Sequence, residues 1–228
     1  MIVSKPTTTV FLFLAFLPSC SDFLSPAELD RPQLVGIRAT PTTVPPGGTA
    51  QLEALFLGPE GEMSPDSITW QAIAPGPGQA TVGQVNSSGA TASFLAPASV
   101  NEPTIASVEA TAMFGQKMIV GIKGVGVGVP LSGQNPVVGQ LTLDGAPVGT
   151  VPATITPNAT LELAVDVTPT TDDTTYSWYT TAGEIEQFRS REAELVVKEE
   201  PPTPSWLFVV VRDGQGGIDW RGVELTPQ

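Results

Sequence analysis

Apolar and polar residues alternate in short runs along most of this chain. Val35, Ile37 and Ala39 form one run, Leu52, Ala54 and Phe56 a second, and Ile68, Trp70 and Ala72 a third. A period of two puts successive apolar side chains on one face of an extended strand, so each run predicts a half-buried β-strand. Turn signals stand between the runs, "PPGG" at 45–48 and "GPEGE" at 58–62, at the spacing of an antiparallel sandwich.

The pattern then recurs. Leu161, Leu163, Val165 and Val167 match the second run, and "YSW" at 176–178 matches "ITW" at 68–70. "ATAMFGQ" (110–116) lines up with "FVVVRDGQ" (208–215), and "IKGV" (122–125) with "WRGV" (220–223). This is a weak internal repeat. In both closing strands the apolar phase slips by one residue, from 118, 120 and 122 to 125, 127 and 129, and from 218 and 220 to 223 and 225. A one-residue slip predicts a β-bulge, centred on Gly124 in one copy and Gly222 in the other. "PLSGQNP" at 130–136 is bracketed by prolines and reads as the linker between copies.

These segments resemble the immunoglobulin-like and PKD-like repeats of bacterial surface proteins. The resemblance rests on "PTTVPPGGTAQLEA" (41–54), the strand tryptophans Trp70 and Trp178, and "VVVRDGQGG" (209–217). It implies an all-β chain of two tandem immunoglobulin-like antiparallel β-sandwiches, at 33–129 and 137–228. With no disulfide available to either copy, each tryptophan holds its sandwich by packing alone.

One apolar stretch does not alternate. Val10 to Leu17 is uninterrupted and follows Lys5; as helix it would rise only about 12 Å, against a bilayer core of about 30 Å. It cannot span, and a positive end followed by a short apolar core is the pattern of a secretory signal peptide. Leu17-Pro18-Ser19-Cys20 then resembles the lipobox of bacterial lipoproteins and contains the single cysteine of the chain. The resemblance implies cleavage after residue 19 and acylation of Cys20, which anchors the protein in a membrane. Two or three acyl chains give stable anchoring where one would be marginal. Ser21, where aspartate would favour inner-membrane retention, directs the expectation to the outer membrane of the bacterial envelope. Residues 20–32 read as the lipidated cysteine and a tether, because "SDFLSPAELDRP" (21–32) carries neither sustained alternation nor a helical apolar face.

Composition narrows the functions open to such a chain. Ten basic side chains less Lys5 leave nine against 23 acidic in the processed protein, a balance of −14. The basic residues are scattered singly, which disfavours nucleic acid. Proline and glycine, 23 of each, are spread along the chain and leave little room for long helices.

Enzyme chemistry finds few candidates. There is no histidine, and the one cysteine belongs to the anchor. Carboxylates gather in the second copy as Asp166, Asp172, Asp173, Asp213 and Asp219. Asp172-Asp173 lies between strands and Asp213-Gly214 suits a hairpin, so turn chemistry is preferred over a calcium site. "VGIKGVGVGV" (120–129) alternates within a strand and is no phosphate loop. The sequence therefore predicts no catalytic residue, no metal site and no cofactor. It predicts a binding, scaffolding or adhesive protein held to the membrane through Cys20, with a protein or glycan partner. The alternatives are an accessory or substrate-capturing subunit of an envelope enzyme or transport system, and a calcium-stiffened adhesin.

Overall fold

The computed structural model describes residues 25–74, 82–129, 134–149 and 151–228. Cys20, the signal peptide and the first four positions of the proline-bracketed segment lie outside the described residues. Within them the secondary structure is all β. The first nine strands are β1 (Gln33–Thr40), β2 (Thr43–Val44), β3 (Thr49–Gly58), β4 (Gly61–Glu62), β5 (Ser67–Ile73), β6 (Gln84–Ser88), β7 (Thr91–Leu95), β8 (Thr104–Phe114) and β9 (Lys117–Val127). The next nine are β10 (Val137–Leu143), β11 (Ala146–Val148), β12 (Ala153–Ile155), β13 (Thr160–Thr168), β14 (Thr175–Thr180), β15 (Gly183–Glu186), β16 (Glu192–Val197), β17 (Ser205–Arg212) and β18 (Ile218–Pro227).

Each set forms a sandwich. In the first, β1-β3-β7-β6 faces β2-β9-β8-β5, with β4 paired to β3; in the second, β11-β10-β13-β16-β15 faces β12-β18-β17-β14. This is the strand order of the immunoglobulin fold, four strands ABED over CFG, with a short strand running parallel to the last. The repeated sequence segments occupy equivalent strands: β3 and β13, β5 and β14, β8 and β17, β9 and β18.

Alternation places the core as expected. Ile37, Leu52, Phe56, Trp70, Phe94, Val108 and Val125 share one buried cluster, and Leu141, Leu163, Val165, Trp178, Leu195, Val209 and Leu225 another. The two tryptophans play matching parts. The Trp178 indole N–H donates to Ser190 O at 2.8 Å and that of Trp70 to Gly89 O at 3.3 Å. Each ring thus fills the core while its polar edge is satisfied by a carbonyl across the sandwich.

The bulges are not where the apolar phase predicts. β8 pairs with β9, and β17 with β18, in unbroken register through Gly124 and Gly222. The slip marks a change in which face carries the apolar residues. Met118, Val120 and Ile122 lie on the outer face of β9, whereas Val125 and Val127 point into the core. Ile218 and Trp220 likewise lie on the outer face of β18, where the first sandwich covers them. The actual register breaks fall in the opening strand of each copy, between Leu34 and Gly36 and between Val138 and Leu141. At the first, the extra residue Val35 turns away from its own core toward the second sandwich.

The sandwiches lie face against face. Val35, Leu55 and Leu57 from the outer side of one sheet pack on Phe208, Val210 and Ile218 from the outer side of another. β3 and β17 are therefore apolar on both faces, which is why "LEALFLG" and "SWLFVVVR" lose their alternation. Asn135 fastens the same junction: its carbonyl accepts from Ile218 N at 3.0 Å and its amide donates to Ala39 O at 2.9 Å.

The stretch read as a tether is corrected in its second half. Leu29 N donates to Thr180 O at 2.9 Å and Thr180 N to Ala27 O at 2.8 Å, so residues 27–29 run parallel along the free edge of β14. Ala27 is buried in the second core and Leu29 between the sandwiches. The three-residue pattern Ala-Glu-Leu is too short to stand out as alternation, and the partner it needs lies some 150 residues away, on a strand edge that only folding brings alongside.

Candidate functional site

The one site residue expected from sequence, Cys20, lies outside the described residues. The five aspartates do lie within them, and they serve different structural tasks. Asp166 pairs with Arg191 at 3.0 Å. Asp213 accepts from Gln215 N and Gly217 N at 2.8 and 2.7 Å and shapes the β17–β18 turn. Asp219 bonds Arg38 at 2.5 Å and accepts from Val138 N at 2.9 Å. Asp172 and Asp173 stand in the turn before β14. Among the described residues no three carboxylates gather as a metal set.

What folding assembles instead is a cleft of about 520 Å³ where the two sandwiches meet, walled by 34–37 of β1, 119–123 of β9 and the end of the β17–β18 hairpin. Three features build it. The first is β1, which pairs with β3 and makes no ladder with β9, and whose bulge sets Val35 toward the second sandwich. The second is glycine at 36, 121, 214, 216 and 217 of the lining; a Cβ on Gly121 would collide with Leu34, and one on Gly36 with Ile218.

The third is a pair of cations. Lys123 faces inward from β9, is 8 % exposed, and donates its ammonium to Gly216 O across the junction. Arg212 donates to Val35 O, and to Ser177 Oγ at 3.4 Å. Neither has a carboxylate within ion-pair distance among the described residues. Burial holds the Lys123 pKa below the ordinary lysine value; Asp213 opposes that shift and Arg212 adds to it. Sequence reasoning did not single out either cation. Alternation gives no signal for Lys123, since it marks Met118, Val120 and Ile122 as the apolar face of β9 and puts Lys123 on the other; the structure turns that other face inward.

Above the cleft, one edge of β9 is open. Gly126 N and Gly128 N donate to Thr42 O and Val44 O, which shows which side of the strand faces β2. The two-residue period points the N–H and C=O of Met118, Val120, Ile122 and Gly124 the same way. β2 ends its pairing at Gly126 and Val127, so among the described residues no strand covers that edge further up.

No protein-family model matches this sequence, and no curated protein matches it. Solved structures of tandem immunoglobulin domains are similar to it. The N-terminal Ig1-2 module of the Drosophila receptor protein tyrosine phosphatase DLAR is 15 % identical, over 86 % of this chain and 98 % of that one, with a TM-score of 0.32. The titin Ig tandem A164-A165 is 16 % identical over 87 % and 98 %, with a TM-score of 0.28. Murine CEACAM1b is 10 % identical over 87 % and 100 %, with a TM-score of 0.29. The assignment of the fold rests on the strand order of each sandwich.

Proposed function

We propose that this chain is a non-catalytic, lipid-anchored protein of the bacterial cell envelope that binds a partner through its paired immunoglobulin-like sandwiches. The observation that carries the binding role is the junction itself. Two sandwiches held by a shared apolar layer and by Arg38, Asp219 and Asn135 keep the walls of the Lys123 cleft in fixed relation, and concave sites between domains are favoured places for ligands. The anchor rests on the residues Leu17 to Cys20. With residues 27–29 docked on β14, a tether can comprise only residues 21 to 26, roughly 20 Å fully extended. The sandwiches would stand close to the lipid surface, in keeping with a protein that works at the outer membrane.

Cys20→Ser tests the anchor. The expected result is loss of acylation and of membrane retention with the sandwiches still folded. Mass spectrometry of the membrane fraction should show a mature amino-terminal peptide that begins at Cys20 and carries acyl mass. An unmodified peptide starting elsewhere would remove the anchor. Capture of envelope proteins on the lipidated chain tests the binding role separately.

A further inference from the structure

We propose that the cleft between the sandwiches is a peptide site, in which an extended acidic segment pairs with the open edge of β9 and places a carboxylate on Lys123 and Arg212. This deepens the binding role proposed above and rests on it.

The edge supplies the backbone half of the recognition. Met118, Val120, Ile122 and Gly124 turn their N–H and C=O groups away from β8, and an exposed ladder of this kind is the template for strand addition. Natural edges are commonly guarded by charge or proline. Here the side chains standing outward along it are Met118, Val120 and Ile122, at 63, 47 and 62 % exposure. An incoming strand would gain an apolar row to pack against as well as hydrogen bonds.

The cations supply the second half. A lysine buried against solvent with a single carbonyl partner bears a desolvation cost that an incoming carboxylate would relieve. Among the described residues its ammonium has no other acceptor, and the Arg212 guanidinium lines the same space. Asp213, the acidic group that acts on Lys123 electrostatically, has its Oδ1 engaged by the amides of its own turn and forms no ion pair with Lys123 among the described residues. Charge selects the ligand class: in a chain of net charge −13, this is a spot where two cations line one cleft without a paired carboxylate.

The test uses the chain from Ser21, which contains every described strand, and amide NMR with defined probes. The probes are the blocked peptide acetyl-TVEVT-amide, its glutamine analogue, the same glutamine sequence with a free carboxyl terminus, and free glutamate. The expected result is saturable shifts at Met118 to Gly124 with the glutamate peptide. Binding should be weaker by about tenfold for the blocked glutamine analogue and for Lys123→Met. Recovery by the free-carboxyl peptide would identify a chain terminus, rather than a side chain, as a second source of the carboxylate. Free glutamate should not bind, since it lacks the strand.

Val120→Pro removes one edge N–H at a position that faces solvent, and should abolish peptide binding while the thermal melt stays cooperative. Equal affinity for the glutamate and blocked glutamine peptides would overturn the role of the cations. Absence of shifts along 118–124 with every peptide would overturn the site and leave Lys123 as a guard of the strand edge. If Lys123→Met and Val120→Pro still capture the same envelope partner as the parent chain, this cleft is excluded while the binding role stands.

Discussion

Arg38 of the first sandwich and Asp219 of the second, 181 positions apart, meet at 2.5 Å with side chains only 28 and 18 % exposed. The same guanidinium bonds Glu53 of its own sheet at 2.5 Å and lies 4.2 Å from the centre of the Trp220 ring. The other Asp219 oxygen takes the N–H of Val138, at the start of the second sandwich. One charge pair thus ties both sandwiches and the chain that joins them.

Removing Arg38 leaves Asp219 half-buried without its cation, whereas removing Asp219 leaves Arg38 with Glu53 alone and unties it from the second sandwich. Arg38→Ala and Asp219→Asn are each expected to cost about 1–3 kcal/mol of stability, and the double variant less than the sum. Denaturant melts of the four proteins give the coupling directly. Strict additivity would mean the pair contributes nothing to the junction.

Lys123 gives the junction a pH dependence of definite sign. Burial lowers its pKa in the folded protein, opposed by Asp213 and reinforced by Arg212. Between that lowered value and the ordinary value of 10.5, the unfolded chain binds more protons than the folded one. Stability from this group therefore rises with pH through that window and is absent below it. Lys123→Met should flatten the rise and be neutral or stabilising at pH 7; a parent and variant with parallel profiles would show that the lysine is solvated after all.

Trp178 is the largest fully buried side chain and carries the shorter of the two indole hydrogen bonds. Trp178→Ala is expected to cost about 3–5 kcal/mol. Trp178→Phe, which leaves Ser190 O without its donor, should cost more than Trp70→Phe, because Trp70 is 7 % exposed and bonds Gly89 at 3.3 Å. Thermal melts rank the set.

Each sandwich encloses its own apolar cluster, so residues 33–129 and 137–228 prepared apart should each keep β-sheet circular dichroism and a cooperative melt. Both should melt below the joined chain, since separation bares Leu55 and Leu57 on one piece and Phe208 and Val210 on the other. Loss of β-structure in both pieces would mean a single shared core.

Millimolar calcium is expected to leave the melting temperature unchanged, because the aspartates of the second copy are engaged by Arg191, by Arg38 and by turn amides or stand in an open turn. A ligand raises the melting temperature only by binding the native state. A rise of several degrees, reversed by chelator, would restore the calcium-stiffened adhesin.

Much of the fold was legible because its cause is local. Alternation at Leu52 to Phe56 or Leu161 to Val167 follows from the two-residue period of a strand, and Trp70 and Trp178 sit where a sandwich needs a large core side chain. The repeat could be read for the same reason. The phase slip at Gly124 and Gly222 predicts two bulges that the sheets do not form, because a lone strand pattern cannot say what covers its outer face. The continuous apolar runs at 54–57 and 206–211 were the visible trace of that cover.

By itself, then, the sequence determined the all-β class, most inward-facing residues of each copy, the recurrence of one strand plan, and the lipobox-like segment ending at Cys20. Tertiary structure alone decided the pairing of Arg38 with Asp219, the docking of Ala27 and Leu29 on β14, and the enclosure of Lys123 and Arg212 in one cleft. The physical reason is reach. A strand's period governs neighbours two residues apart, whereas these contacts join residues 93 to 181 positions apart that only the packing of one sandwich on the other brings together.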